Sequence, residues 1–240
     1  MSLVGKNRAI FSYNNKNKND SNFMYKDFEK TKSYHSSFLN AKFIGTSLRA
    51  AHMKYCNFTG CTFHGVDFVG TNLRGSVFKD ASFKDCIFVT TVLDRANFKN
   101  ASFENCYFLG VGVKNAKNFP VDNDGIVILE SMPAQEYIMY ELREVIERLR
   151  GNDIVRRSNI LHLKKGRINT LTVMVLKKEY TEEELIRYLP ILPQYVTTQF
   201  YTVSYLKMIL KKIEKSYIMK MPCTPFLRNP EQEYMGLRTD

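Results

Sequence analysis

The chain has 240 residues, 44% of them hydrophobic and 25% charged, which is the composition of folded domains and not of a disordered chain. Its formal net charge of +11 favours acidic or anionic partners over basic ones. No stretch is apolar for the roughly eighteen residues that a membrane-spanning helix needs, and no secretory apolar core succeeds the first charges, so a cytoplasmic protein is expected.

Residues 1–20 contain the polar run Asn14-Asn15-Lys16-Asn17-Lys18-Asn19-Asp20, which reads as a linker. Leu3, Val4, Ile10 and Phe11 before it are expected to lie over the open end of the segment that begins at residue 21. Residues 21–119 obey a different rule. Thirteen of the 17 Phe lie between Phe23 and Phe108, all of them five residues apart or a multiple of five. Leu48, Met53, Leu73, Leu93 and Val113 fill gaps in the same register, and Ser33 is its polar exception. A strict period of five belongs to neither an α-helix nor a flat strand, and a sustained fixed period signals a solenoid.

Two positions before each large residue stands a small one, as in Ala41, Thr46, Ala51, Cys56, Cys61 and Val66. Large and small then alternate inward, as a narrow packed interior requires. Four of the 5 cysteines (Cys56, Cys61, Cys86 and Cys106) occupy the small slot and read as core residues. Their spacing matches no zinc pattern, so no metal and no cofactor are expected. The non-Phe members of the register recur at twenty residues, as in Leu73, Leu93 and Val113. Four pentapeptides therefore make one turn, the coil is square, and residues i and i+20 stack.

Segments such as Ala41-Lys42-Phe43-Ile44-Gly45, Thr71-Asn72-Leu73-Arg74-Gly75 and Ala96-Asn97-Phe98-Lys99-Asn100 resemble the A(D/N)LXX repeat of the pentapeptide-repeat family. The resemblance covers about residues 21–117 and implies an all-β right-handed quadrilateral β-helix. Members of that family include DNA mimics that protect type II topoisomerases, and secreted effectors.

All 7 prolines fall at or after Pro120, so residues 120–240 are expected to form a separate, mostly α-helical domain. Ser131-Met132-Pro133 can start a helix with Ile138, Leu142, Val145, Ile146 and Leu149 on one face, stopped at Gly151-Asn152. Residues 159–177 read better as a β-hairpin, with Leu171 to Leu176 as its second strand. Thr181 and Glu184 make a capping box, and Pro190 closes that helix. Val196, Phe200, Val203, Leu206, Leu210, Ile213 and Tyr217 then mark one stripe of a final helix, facing either a core or a second copy.

No Walker loop, dinucleotide fingerprint or HExxH motif occurs, and His35, His52, His64 and His162 form no catalytic signature with Ser or Cys. No catalytic residue is assigned. Cys223, outside the coil, is the residue on which a cysteine-dependent effector reading would rest. Stacking by twenty places Val69, Ile87, Val89, Tyr107 and Leu109 on one outer side, an apolar contact surface that asks for a cover. The adjacent side displays Lys54, Arg74, Arg95 and Lys114 as a basic partner-binding surface. The coil segment carries a net charge of +6, opposite in sign to a DNA mimic. The reading that results is a non-enzymatic scaffold for a protein partner. A second copy of the chain is a further candidate partner, and nucleic acid is admitted by the charge but not favoured.

Overall fold

The computed structural model describes residues 12–220. From Ser12 onward the backbone winds as a four-sided coil in which every turn pairs in parallel with the next, twenty residues later. On one side the strands β1 (Lys42–Ile44), β2 (Thr62–His64), β4 (Ser82–Lys84) and β6 (Ser102–Glu104) stack in that order. On another, β3 (Asp67–Val69), β5 (Ile87–Val89), β7 (Cys106–Leu109) and β8 (Ile126–Leu129) do the same. The register holds Phe43 on Phe63, Phe63 on Phe83 and Phe83 on Phe103.

Each corner of the coil is turned by a residue with positive φ, and these recur every fifth position from Asn15 to Gly110. Most are Gly, Asn or Asp, which adopt this left-handed conformation at little cost. Gly75 shows the steric reason most plainly, since a Cβ there would fall 2.5 Å from the Tyr55 ring. Neighbouring corners are tied across turns where their side chains allow, as between Asn100 Nδ2 and Asp80 Oδ1 at 3.0 Å.

Inside, the rings form columns. Phe83 lies 4.8 Å from both Phe63 and Phe103 with nearly parallel planes, and Phe68, Phe88 and Phe108 form a second column spaced 4.4 and 4.3 Å. The small slots add a second kind of bond. Thr46, Thr71 and Ser76 each donate a hydroxyl to the backbone carbonyl twenty-three residues earlier, and the thiols of Cys56, Cys61, Cys86 and Cys106 do the same. Ser, Thr and Cys are thus interchangeable there because each is small and carries one donor.

The ends depart from the sequence reading in two ways. The described part of the linker, from Ser12, is already coil: Ser12 pairs with Lys32, Asn17 with Ser37, and the Tyr13 ring packs on Phe23, Phe28 and Phe38. Tyr13 belongs to the large register, two units before Phe23. Leu3, Val4, Ile10 and Phe11 lie outside the described residues. At the other end the coil does not stop at Phe119. The Phe119 ring closes the columns from above, 5.4, 5.6 and 5.2 Å from Phe98, Phe103 and Phe108. The chain then returns as β8, still twenty residues after β7. Ile126 of β8 joins the coil core, whereas Val127 and Leu129 join that of the helices.

The remainder is helical: α1 (Tyr140–Leu149), α2 (Asp153–Ser158), α3 (Thr170–Leu176), α4 (Glu182–Tyr188), α5 (Leu192–Tyr195) and α6 (Val203–Lys220). Three expectations need correction. α1 starts at Tyr140 and not near Pro133, because residues around Ala134 are extended and the Glu182 carboxylate accepts the Met139 N–H at 2.6 Å. The hairpin expected over 159–177 is only a tight turn, with one antiparallel bridge between His162 and Ile168. Leu171 to Leu176 is helix, capped by the Asn169 side chain and buried on nearly all sides. Burial in the helical core overrides the strand preference of its Thr and Val residues. Finally, α6 starts at Val203 and not Val196, because the Thr202 hydroxyl accepts the Tyr205 N–H and ends the preceding loop. The capping box of Thr181 and Glu184 forms as expected.

The start of α6 is clamped to the coil. The Asp67 carboxylate accepts the Val203 N–H at 3.3 Å, and the Ser204 hydroxyl donates to the Gly65 carbonyl at 2.8 Å. Gly65 has no substitute at this approach, since a Cβ would fall 2.4 Å from that of Ser204. Burial pushes the Asp67 carboxyl up to about 7, against the opposing pull of Arg49 and the Val203 N–H.

Two outcomes are expected for stability. Phe83→Ala should cost about 3–5 kcal/mol, because stacked rings above and below hold the gap open. Equilibrium denaturation showing a loss under about 1 kcal/mol would contradict the column as a source of stability. For Asp67, the folded carboxyl titrates above the unfolded one, so the folded state retains a proton that the unfolded state has lost between about pH 4 and 7. Stability from this group is full below that window, falls as pH rises through it, and is flat above. Asp67→Asn keeps the acceptor for Val203 and should match the parent near pH 4 but exceed it near pH 8, as read by urea melts at both values.

Candidate functional site

The helices decide which sides of the coil remain open. Ile87, Tyr107 and Leu109 are buried in one cluster with Leu142, Leu171, Val203 and Leu206, and Val89 packs against its edge. Val69 is half-buried beside Arg49 and Met132. The apolar side is therefore an internal seam between coil and helices, and the stripe on α6 faces that same core. The Tyr107 ring is fully covered, with its hydroxyl lacking a partner.

The next side, made by residues 31–35, 51–55, 71–75, 91–95 and 111–115, contributes nothing to the helical core among the described residues. Its outward positions hold Lys54, Arg74, Arg95 and Lys114, as the repeat predicts. Two features were not read from the sequence. First, aromatic residues stand among the cations: the Lys54 ammonium sits 5.0 Å from the Tyr34 ring centre, and His35 stacks on Tyr55 at 5.2 Å. The sequence signal was present, because Tyr34 and His35 fall one turn below Lys54 and Tyr55. Second, Asp94 interrupts the column. It accepts from Arg74 at 2.7 Å and from Asn115 at 3.3 Å, and those contacts hold its carboxyl below the usual range. Arg74 is thus already paired and Arg95 also lies within the field of Asp94, whereas Lys54, Lys114 and, on a lower turn, Lys32 make no salt bridge among the described residues.

The chemistry of the cysteines is also set by burial. It pushes the Cys56 thiol up to about 11 and the Cys61 thiol up to about 12, and raises that of Cys86. None of these thiols is available as a thiolate near neutral pH. Cys223 lies outside the described residues. His162 is buried, its ring 2.8 Å from the Ile146 carbonyl, and burial lowers its pKa, so it serves as a neutral hydrogen-bond donor in the helical core. Among the described residues no group of three His, Cys, Asp or Glu side chains is placed to hold a metal, and no helix is long and apolar enough to cross a membrane.

The family model for pentapeptide repeats matches residues 41–80 and 76–110, in 8 copies. Among solved structures, the coil is similar to alr5209, a pentapeptide repeat protein from Nostoc PCC 7120, at 19% identity over 49% of this chain and 84% of that one, with a TM-score of 0.31. Rfr23 from the cyanobacterium Cyanothece 51142 matches at 14% identity over 50% of this chain and 88% of its own, with a TM-score of 0.21. QnrB1, a plasmid-mediated fluoroquinolone resistance protein, matches at 15% identity over 58% and 99%, with a TM-score of 0.22. No curated protein sequence matches the chain. On the match to its repeats and the five-residue corners that carry them, the coil of this chain is a pentapeptide-repeat coil.

Proposed function

We propose that the chain is a non-enzymatic cytoplasmic scaffold that binds an acidic protein partner through the cationic side of its coil. The observation that carries this reading is the division of the coil's surface. The apolar side is consumed by the chain's own helices, whereas the adjacent side presents Lys54, Arg95 and Lys114 on a flat, repeating lattice with Tyr34 and Tyr55 among them. Backbone turns locked by inter-turn hydrogen bonds hold those side chains at fixed spacing, so little order is lost on binding. Cations and aromatic rings together suit an acidic protein surface, giving long-range attraction and a few well-packed contacts.

Protection of a topoisomerase by imitating DNA, the role that other coils of this family suggest, asks for an acidic surface and is disfavoured by this one. A purified gyrase supercoiling assay in which the chain relieves quinolone inhibition would reverse that judgement.

Lys54→Glu with Arg95→Glu should leave the melting curve within about 1 kcal/mol of the parent, since among the described residues neither side chain makes a salt bridge and the field of Arg95 on Asp94 acts at the exposed surface. The same pair should abolish cross-linking to the partner that the parent captures, with identity read by mass spectrometry. Retention of that partner by the doubly substituted chain would refute the assignment of this side, and recovery of nucleic acid in place of protein would refute the class of partner.

A further inference from the structure

A cleft of about 410 Å³ opens between α6 and the side of the coil that carries β1, β2 and β4. Its coil wall is made by Tyr25, Ile44 and His64, and its helix wall by Met208, Lys211, Lys212 and Lys215. The last four step by three, one and three residues, so they share one face of α6. Gly45 shapes the floor, since a Cβ there would fall 2.7 Å from the Tyr25 ring.

The charges inside are unevenly shared. Two carboxylates, Asp85 and Glu179, also line the cleft, and both have close nitrogen partners. Lys207, buried, lies 2.6 Å from Glu179 and 3.8 Å from Asp85. Lys211 lies 3.2 Å from Glu179, and the His64 ring 3.4 Å from Asp85. Lys212 and Lys215 have no acidic partner among the described residues. They stand three apart on one helix face, and Lys215 is four from Lys211, spacings at which like charges repel. The helix dipole favours cations near a C-terminus, yet these two, though exposed, also border the cleft facing the coil. An anion seated in the cleft would relieve the repulsion.

We infer that this cleft is a phosphate-recognition site, with Lys212 and Lys215 at the phosphate and Tyr25 and Ile44 against the carbon part of the ligand. Two uncompensated cations match a phosphate monoester, which is close to a dianion at neutral pH, better than a single carboxylate. The exposed Tyr25 ring offers a stacking face, and the cleft volume falls within the range that holds small ligands. The same headgroup chemistry is found in soluble nucleotides and in phosphorylated inositol lipids. Met24, beside Tyr25, and Ile218, one turn beyond Lys215, are exposed apolar residues that would suit the second source.

The full chain can be titrated calorimetrically with AMP and with adenosine, and sedimented with phosphatidylcholine vesicles with and without phosphatidylinositol 4-phosphate. The site is expected to bind AMP and not adenosine, or to bind the phosphorylated vesicles and not the plain ones, and to weaken as salt is added. Lys212→Gln with Lys215→Gln should weaken that binding about tenfold or more, whereas Lys79→Gln with Lys99→Gln on another side of the coil should not. Tyr25→Ala, at an exposed corner, is the second variant and should weaken AMP several-fold. Binding unchanged in the lysine variant, or no saturable binding to AMP or to phosphorylated vesicles, would overturn the inference.

Discussion

Every property of this coil depends on one constraint: residue i must sit on residue i+20. Parallel pairing in register puts each side chain on its counterpart in the next turn, so a ring meets a ring, as Phe63, Phe83 and Phe103 do at 4.8 Å. Such a column tolerates one aromatic shape well and alternation of shapes poorly, which accounts for a chain with 17 Phe and no Trp. The same constraint acts on polar groups. A hydroxyl or thiol in the small slot always finds a carbonyl from the turn below, so Thr71, Ser76 and Cys86 are satisfied in a core that has no water to offer. Thr31 is the exception in that slot, its hydroxyl buried without a partner on a low turn, and Ser33, in the large slot of the same turn, shares that condition.

Stacking also settles what each outer side can become, because a side is a set of columns and a column repeats its chemistry. The columns of Ile87 with Tyr107 and of Val89 with Leu109 are continuous and apolar, and the helices grow upon them. β8 is the piece that makes the transition. It obeys the coil's register, yet presents Val127 and Leu129 to the helical core. The seam is then fixed at its far end by polar contacts that only one geometry permits, Asp67 to Val203 and Ser204 to Gly65. Apolar burial supplies the bulk of the adhesion there, and the buried carboxylate supplies orientation.

How much of the fold was legible in the sequence is governed by the same rule. The five-residue register is a long-range signal repeated many times, so the coil, its four sides and the composition of two of them were readable without coordinates. The elements misread are those that occur once. Tyr13 fits the register but stands in an Asn- and Lys-rich segment whose composition suggested a linker. β8 has the spacing of the coil but not its pentapeptide pattern, since residues 118–125 break the repeat. α3 carries β-branched residues whose helical state is imposed by burial and by the Asn169 cap. Asp67 occupied an outward position that resembled any solvated charge, and only the arrival of α6 buries it. Asp94, one column member among cations, was legible by position and was missed because the basic side was read by its cations alone.

The cationic side and the lysine-lined cleft differ in a way that bears on what each can bind. On the coil, Lys54 and Lys114 are held at intervals set by the backbone, and the intervening Asp94 neutralises Arg74. The charge there is spread along a flat lattice, which suits an extended surface that makes several weak contacts. In the cleft, Lys212 and Lys215 come from one turn of one helix and line a concave space opposite Tyr25, with Lys211 held by Glu179. Convergent charge with an apolar wall suits a compact anion. The helix that seals the apolar side of the coil is also the one that brings these lysines over the neighbouring side. Occupation of the cleft would therefore act on the same element that Asp67 and Gly65 hold in place, and an anion bridging α6 to the coil would add to the clamp at its far end.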